Sequence, residues 1–319
     1  MTKWAWVRLA GGVGILALVV WRVGTGPFVE GVRTIDGWAL AAALGIGGLT
    51  TLACAWRWSL VASGLGVRLP LAAAVAAYYR SQFLNTTLPG GVIGDVHRAV
   101  RHGRDIGDVT LGVRAVVLER TAGQGVAMGI ALMVLFAFPS PVRAYMPIAV
   151  AALVVVVGAV LLTRALVKGR SGRLMRALRA VRSDIRNGLL PRGTLAAVVV
   201  TSSVVLVGHL ATFLVAARTA GSTAPLAVLT PVTLLALLAM MVPLNIAGWG
   251  PREGVAAWAF GAAGLTAAQG VATAVTYGVL VLVASLPGAA VLGVRWFRAP
   301  AAAKRVGASA ALEPGGTHG

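Results

Sequence analysis

The chain has 319 residues, of which 58% are hydrophobic and only 12% are charged. Its mean hydropathy of +0.86 excludes a soluble globular domain and predicts an all-α, polytopic integral membrane protein. The formal net charge of +19 would suit a nucleic-acid-binding protein, but the sequence contains no solvated basic domain. We therefore expect anionic membrane lipids, and not nucleic acid, as partners. The single Cys54 excludes an intrachain disulfide and a cysteine-based metal site.

Long apolar runs predict six membrane crossings, because a helical crossing needs about 20 apolar residues. The predicted spans cover residues 6–23, 38–61, 112–138, 146–163, 194–217 and 271–294. The first run follows basic residues, as in a signal peptide, but no small-residue cleavage site ends it, so we predict a transmembrane helix. The triplet Trp56, Arg57 and Trp58 ends the second span and predicts an interfacial girdle.

Two shorter apolar runs lead into polar, glycine-rich sequence. This pattern predicts re-entrant or broken helices around residues 70–90 and 226–265. If either segment crosses completely, the count rises to seven or eight crossings. Each segment has an Asn, a Pro/Gly break and an acid close to an Arg, and this similarity predicts an inverted repeat whose two segments open from opposite sides of the membrane.

The segment 164–192 is the most basic part of the chain, with a single acid, Asp184. The positive-inside rule places this segment and both termini in the cytoplasm. An apolar stripe at helical spacing predicts an amphipathic helix, formed by Leu174, Leu178, Val181 and Ile185. That helix either rests on anionic headgroups or is a solvated linker.

The stretch of residues 78–98, YYRSQFLNTTLPGGVIGDVHR, is where we expect function to lie. Its proline and glycines break a helix, and broken backbone at membrane depth is tolerated where it lines a cavity. The stretch therefore predicts a polar cavity; the alternative is an extramembrane loop beside arginines that snorkel to headgroups. The candidate residues are Arg80, Asn85, Asp95 and Arg98, with backbone turns at Pro89, Gly90, Gly91 and Gly94.

Two further stretches are the predicted partners of this cavity. One is the pair Glu119 and Arg120 in the third span. The other is residues 243–254, PLNIAGWGPREG, which supply Asn245, Trp249, Arg252 and Glu253, with backbone turns at Gly248, Gly250 and Gly254.

Arginines beside acids in membrane segments predict either an anion site or a set of structural ion pairs. Guanidinium groups bind phosphate oxygens through two parallel hydrogen bonds, and glycine turns add backbone donors. The expected headgroup contacts are Arg80, Arg98, Arg120 and Arg252, assisted by Asn85, Asn245 and Trp249. The carboxylates that balance these cations or couple protons are expected to be Asp95, Glu119 and Glu253. The alternative is that each acid only neutralises its neighbouring Arg so that helices pack.

The sequence has no HExxH, GxSxG or Walker motif and no cluster of His and Cys. We therefore expect no metal, no cofactor and no catalytic residues. An enzyme would have to use Asp95 or Glu253 as its acid or base. His209 stands alone in its span, and we predict a hydrogen-bonded packing residue there.

These ordered fragments resemble the family of bacterial membrane proteins described as flippase-like, or lysylphosphatidylglycerol synthase transmembrane region. The matching fragments are residues 80–98, Glu119 with Arg120, residues 243–254 and Leu286-Pro287-Gly288. The resemblance covers residues 1–298, and implies a helical domain with re-entrant segments that binds or moves anionic lipids or lipid-linked intermediates. The family often has a glycine where this chain has Ile93, which predicts a less close backbone approach there.

Members that make lysyl lipid carry a large soluble domain after the membrane region. Here only residues 299–319 follow, which we predict to be a disordered cytoplasmic tail, and aminoacyl transfer is not expected. The resemblance implies a translocase, or flippase, of the inner membrane that moves an anionic phospholipid or a polyprenyl-phosphate-linked lipid through a polar cavity. The alternatives are an intramembrane enzyme of lipid-linked glycan or phospholipid modification, and a non-transporting scaffold for a lipid-modifying partner.

Overall fold

The computed structural model describes residues 13–15, 17–88, 91–138, 140–145, 151, 155, 173–241 and 249–310, with the side chains of all but residues 145, 173–178 and 294–310. A helical segment, Val13–Val23, comes first. The helices that follow are α1 (Gly26–Arg33), α2 (Gly37–Gly64), α3 (Leu71–Thr87), α4 (Ile93–Asp105), α5 (Val109–Ala137), α6 (Arg173–Gly188), α7 (Arg192–Thr219), α8 (Leu226–Ala239), α9 (Pro251–Ala262) and α10 (Ala267–Ala310). The predicted all-helical class is confirmed.

Within the described residues, four helices are long and apolar enough to cross a membrane, which confirms a multi-pass membrane protein. They are α2, α5, α7 and the Ala267–Gly293 part of α10. The Val13–Val23 segment and α1 add a fifth crossing if they are taken together, although a bend of 95° separates them. The predicted span at residues 146–163 lies almost entirely outside the described residues. Helix α10 continues to Ala310, where the sequence predicts an irregular tail from residue 299.

Each half of the chain contains two short helices on either side of a break. Helices α3 and α4 have 17 and 13 residues, and helices α8 and α9 have 14 and 12. The two helices of each pair pack on each other, and α10 packs against both α3 and α9. None of these four helices is among the candidate spans, in keeping with the predicted broken helices. The inverted repeat stays a prediction.

Helix α3 is held at backbone contact distance on two sides by glycines of other helices. A Cβ added at Gly94 of α4 would lie 2.0 Å from the carbonyl oxygen of Ser81, and one at Gly288 of α10 would lie 2.1 Å from that of Tyr79. Such approaches are open only to glycine. Ile93, by contrast, is 41% exposed, so the close approach of α4 to α3 is made at Gly94.

The two larger of three apolar clusters fill most of the interior of the described helices. The larger joins α2, α7, α8, α9 and α10 around Phe213, Leu229 and Phe260, with alanines where helices approach closely. The smaller lies between α2, α3, α4 and α5 and contains Trp58 and Tyr78, whose ring centroids are 6.1 Å apart. Trp58 and Tyr78 of this second cluster pack against Arg98, a charged residue of the site described below.

The predicted interfacial girdle is wrong for two of its three residues. Trp56 is 46% exposed, but Trp58 is only 1% exposed and Arg57 only 6%. Because three consecutive residues point in different directions around a helix, one faces outward while the other two face the interior of the bundle.

The predicted helix in the basic segment is present as α6, and its C-terminal end is docked on the bundle. Asp184 is buried and accepts a hydrogen bond of 2.7 Å from Nε of Arg114 in α5. At Gly64 of α2, an added Cβ would lie 2.6 Å from the carbonyl oxygen of Asn187. The C-terminal end of this helix is thus tied to the membrane domain by an ion pair and a close backbone contact.

Candidate functional site

Glu119 of α5 is a fully buried acid of the site, with no exposed surface. It accepts hydrogen bonds from Nε and Nη2 of Arg57 at 2.8 and 2.5 Å, and from Nη2 of Arg98 at 3.2 Å. One carboxylate therefore joins a guanidinium of α2 to a guanidinium of α4. A charge buried in this way is tolerated because it is paired and hydrogen-bonded.

Arg57 fits beside α5 because the residue one turn beyond Glu119 is a glycine. A Cβ at Gly123 would lie 2.6 Å from Cζ of Arg57. The remaining Nη1 of Arg57 donates to the hydroxyl of Ser202 in α7 at 3.0 Å. Arg57 thus links α2, α5 and α7, a role that sequence reasoning missed because it placed this residue at the membrane interface.

Asp95 lies in the first turn of α4, where a carboxylate is favoured by the helix dipole. It accepts hydrogen bonds from Ser81 at 3.0 Å, from Nη2 of Arg98 at 3.1 Å and from Nη1 of Arg120. Nδ2 of Asn85 donates to its second oxygen at 2.8 Å. The carboxylate therefore holds α3, α4 and α5 together at the break that follows α3.

Asn85, near the end of α3, hydrogen-bonds across the helix break to the first turn of α4. Besides donating to Asp95, its side-chain oxygen accepts the backbone N–H of Gly94 at 2.8 Å. That N–H belongs to the first turn of α4 and has no partner within its own helix. Both ends of the Asn85 amide are thus used inside the protein, which favours a positioning role for this residue.

Arg98 is completely buried and contacts two aromatic rings. Its Cζ lies 3.9 Å from the ring centroid of Tyr78 and 4.5 Å from that of Trp58, and its side chain has no exposed surface. The rings favour this cation through cation–π attraction, while Asp95 and Glu119 supply the opposite charge. Arg98 is thus a buried cation that is paired with both carboxylates, those of Asp95 and Glu119.

His102 lies one turn beyond Arg98 and packs edge-on against Trp58, with 5.0 Å between ring centroids. Its side chain is buried, and burial lowers the pKa of His102 below its usual value because the charged form is poorly solvated there. Burial therefore disfavours a further positive charge on this imidazole beside Arg98.

A second ion pair stands at the start of α9. Glu253 accepts a hydrogen bond from Nε of Arg252 at 2.9 Å and from the backbone N–H of Gly250 at 2.7 Å, where Gly250 has φ of 115°. The Cζ of Arg252 lies 5.2 Å from the ring centroids of both Trp249 and Tyr277. This pair fixes the first turn of α9 against α10.

A cavity of about 370 Å³ lies between α2, α3, α5, α7, α8 and α10. Two guanidiniums, those of Arg57 and Arg120, contribute to its lining. Neutral polar side chains also line it: Thr50, Gln82, Asn85, Thr86, Gln124 and Ser285. Helix α8 and the two residues that follow Ala239 add an apolar wall: Leu234, Leu237, Leu238, Met240 and Met241. The cavity thus offers cations, hydroxyls and amides together with aliphatic surface.

His209 and Tyr277 also line this cavity. Nδ1 of His209 and the hydroxyl of Tyr277 are 2.9 Å apart and share a hydrogen bond. This contact agrees with the packing role predicted for His209. It also connects the cavity to the second ion pair, because Arg252 lies against the same tyrosine ring.

The predicted site residues fall into three groups in the structure. Those that line the cavity are Asn85, Gly91 and Arg120, and Gly91 has φ of 62°. Those that are described but are not among its lining residues are Arg80, Gly94, Asp95, Arg98, Glu119, Trp249, Gly250, Arg252, Glu253 and Gly254. Those that lie outside the described residues are Pro89, Gly90, Asn245 and Gly248.

Comparison with known proteins gives one family. The sequence profile of the family described as lysylphosphatidylglycerol synthase TM region matches residues 5–288, which include both ion-pair clusters and every lining residue of the cavity. This match confirms the resemblance stated from the sequence. No curated protein matches the chain.

Proposed function

We infer the function from one premise: this chain belongs to the lysylphosphatidylglycerol synthase TM region family, which links it to membrane lipids. We propose that it binds an anionic lipid headgroup in its intramembrane cavity and moves the lipid across the bilayer, as a flippase-like protein of the inner membrane. The basic segment around α6, and both termini, would lie on the cytoplasmic side.

The observation that carries this proposal is the charge of the cluster beside the cavity. Three guanidiniums, those of Arg57, Arg98 and Arg120, face two carboxylates, those of Asp95 and Glu119, which leaves a net charge of +1. Uncompensated positive charge at membrane depth is costly unless an anion offsets it. The phosphate of a lipid would supply that anion.

Arg120 is the cation best placed to contact the phosphate. Its side chain is 37% exposed and lines the cavity, whereas the Arg98 side chain has no exposed surface. The aliphatic wall formed with α8 would cover the first part of the acyl or prenyl chain, because a lipid needs apolar surface beside its headgroup. An amphiphilic ligand is thus the kind that this cavity fits.

The enzyme and scaffold alternatives find less support. An enzyme would need Asp95 or Glu253 as its acid or base, and each is held by arginine in an ion pair. A scaffold would work through the basic segment, whose C-terminal end is already docked on α2 and α5. Neither alternative gives a reason for the two guanidiniums in the cavity.

We expect Arg120→Gln to slow lipid movement at least about tenfold, because one charge-assisted contact to phosphate contributes about 1.5–3 kcal/mol. Asp95 keeps its bonds to Arg98, Ser81 and Asn85, so the fold should survive. The assay follows dithionite quenching of labelled phosphatidylglycerol in vesicles that contain the purified chain.

Arg104→Gln is the matched control, because Arg104 lies in the last turn of α4, is exposed and lies outside the cavity lining. It should move lipid at the wild-type rate. Wild-type rates in Arg120→Gln, or no lipid movement by the wild-type protein, would contradict the proposed function.

A further inference from the structure

The acids of this chain are few enough to follow one by one. Nine occur in the sequence, and all but Glu313 lie in the described residues. The other eight are Glu30, Asp36, Asp95, Asp105, Asp108, Glu119, Asp184 and Glu253, and none of them is a lining residue of the cavity. A lipid headgroup in the cavity would therefore meet guanidinium groups without meeting a carboxylate from this part of the chain.

Asp95 and Glu119, the two acids that pair with the cavity-lining arginines, already form ion pairs within the protein. Glu119 has no exposed surface and holds two arginines, and Asp95 is 7% exposed and accepts from two arginines, a serine and an asparagine. An ammonium group that approached either one would have to displace a guanidinium that holds the helices together. The cluster would then be left with an unpaired buried charge.

Cation–π binding is also unavailable to a headgroup ammonium at the two tyrosines of the lining. The Tyr78 ring already has Arg98 against it at 3.9 Å, and the Tyr277 ring has Arg252 against it at 5.2 Å. A second cation on either ring would meet a like charge. The described lining thus lacks the aromatic cage that recognises quaternary ammonium groups.

Two of the three side-chain amides in the described lining, those of Gln82 and Asn85, have an occupied oxygen as well. Oε1 of Gln82 accepts from the hydroxyl of Thr51 at 3.0 Å, and Oδ1 of Asn85 accepts from the N–H of Gly94 at 2.8 Å. The hydroxyls of Thr86 and Ser285 lie 3.2 Å apart and form a contact with each other. Groups with occupied oxygens suit a hydroxyl, which can also accept a hydrogen bond, better than an ammonium, which can only donate.

We propose that the cavity selects lipids whose headgroup carries a phosphate but no ammonium, and that it rejects ethanolamine, choline and aminoacylated headgroups. This selectivity rests on the proposed function of the cavity as a headgroup site. It makes lysylphosphatidylglycerol, whose headgroup bears ammonium groups, a poor ligand for this chain. The shared chemistry of the accepted ligands is a phosphate ester, supplied either by phosphatidylglycerol or by a polyprenyl phosphate.

Equilibrium retention of defined lipids tests the selectivity. The purified full chain is mixed in detergent with equal amounts of phosphatidylglycerol, phosphatidylethanolamine, lysylphosphatidylglycerol and a polyprenyl phosphate, and the retained lipids are quantified by mass spectrometry. We expect retention of one or both ammonium-free lipids at least about tenfold above either amine lipid, and the stronger of the two identifies the source of the phosphate. Retention of an amine lipid at the level of the ammonium-free lipids, or retention of none of the four lipids, would overturn the proposal.

The substitution Gln124→Glu is expected to change which lipids the protein retains in the same assay. Gln124 lines the cavity one turn from Arg120, and the substitution adds a carboxylate with almost no change of shape. The ratio of phosphatidylglycerol to amine lipid should fall at least about tenfold, since the cavity gains its missing counter-ion for ammonium. Gln269→Glu makes the same change outside the cavity lining and should keep the wild-type ratio.

The retention assay in detergent does not require lipid to move across a bilayer. The proposed selectivity and the proposed translocation can therefore be contradicted independently of each other. A chain that retains only ammonium-free lipids but moves none of them contradicts the translocase and leaves the selectivity standing. A chain that moves and retains amine lipids as well as phosphatidylglycerol contradicts the selectivity alone. An unchanged ratio in a folded Gln124→Glu protein would also count against it.

Discussion

Replacement of Glu119 by glutamine should destabilise the protein by about 3–5 kcal/mol, the cost of removing one partner from a buried ion pair. Glu119 holds two guanidiniums, and both Arg57 and Arg98 would remain inside the bundle with less opposite charge. The cluster beside the cavity would rise from +1 to +2. We expect a large fall in the thermal unfolding temperature of the detergent-purified protein, read by loss of the monodisperse fraction after heating.

The matched control is Asp184→Asn, which removes a carboxylate from Arg114. The side chain of Arg114 is 38% exposed, so water and headgroups can solvate it once its partner is lost. An ion pair of this kind contributes about 0–1 kcal/mol. Equal destabilisation by the two substitutions would mean that the Glu119 cluster is not buried in the way described.

Gly94→Ala is expected to have the next largest effect, through the contact of α4 with α3. The added methyl group would lie 2.0 Å from the carbonyl oxygen of Ser81, a distance that the rigid backbone cannot accept. Overpacking of this kind costs about 1–3 kcal/mol. It should also lengthen the bond from Gly94 to Asn85 and shift Asp95, so we expect slower lipid movement together with a lower unfolding temperature.

Gly125→Ala in α5 is the control for Gly94→Ala. A Cβ at Gly125 has no heavy atom within 4 Å, apart from its own helix, so the methyl group enters open space. Alanine is also the better helix former by about 1 kcal/mol. The control protein should be as stable as the wild type or more stable, and a Gly94→Ala protein with unchanged stability would show that α4 does not approach α3 so closely.

Local features of the sequence predicted much of the frame of the site. Residues 78–98 do contain a helix break, and α8 is separated from α9 by a second one, because proline, glycine and polar residues interrupt apolar runs. Two ion pairs join residues that are close in the chain: Asp95 with Arg98, and Arg252 with Glu253. Pairs of this kind are visible as sequence neighbours, so the acids beside arginines were found without a structure.

Long-range contacts were out of reach of the same reasoning. Arg57 and Glu119 are 62 residues apart, and nothing near Arg57 in the sequence shows which partner it has. Position beside two tryptophans suggested the membrane interface, yet the bundle buries Arg57 and Trp58. The best available sign was Gly123, one turn after Glu119, which leaves room for a large side chain from a neighbouring helix.

Because long-range contacts cannot be read from the sequence, four arginines were predicted together as headgroup contacts. Arg80, Arg98, Arg120 and Arg252 are equivalent by composition, but only the Arg120 side chain lines the cavity, because burial depends on the three-dimensional neighbours of each helix face. Arg98 is enclosed by Trp58 and Tyr78, and Arg252 by Trp249 and Tyr277. Aromatic residues thus enclose Arg98 and Arg252 but not Arg120, the cation that we propose to bind lipid.

The most direct test of the account is to locate the lipid phosphate. Electron cryomicroscopy of the full chain in nanodiscs that contain phosphatidylglycerol should show a phosphate inside the cavity, about 2.7–2.9 Å from a guanidinium nitrogen of Arg120. The acyl chains should lie along the wall formed by Leu234, Leu237 and Leu238. Phosphates found only around the outside of the bundle, with none in the cavity, would contradict the account.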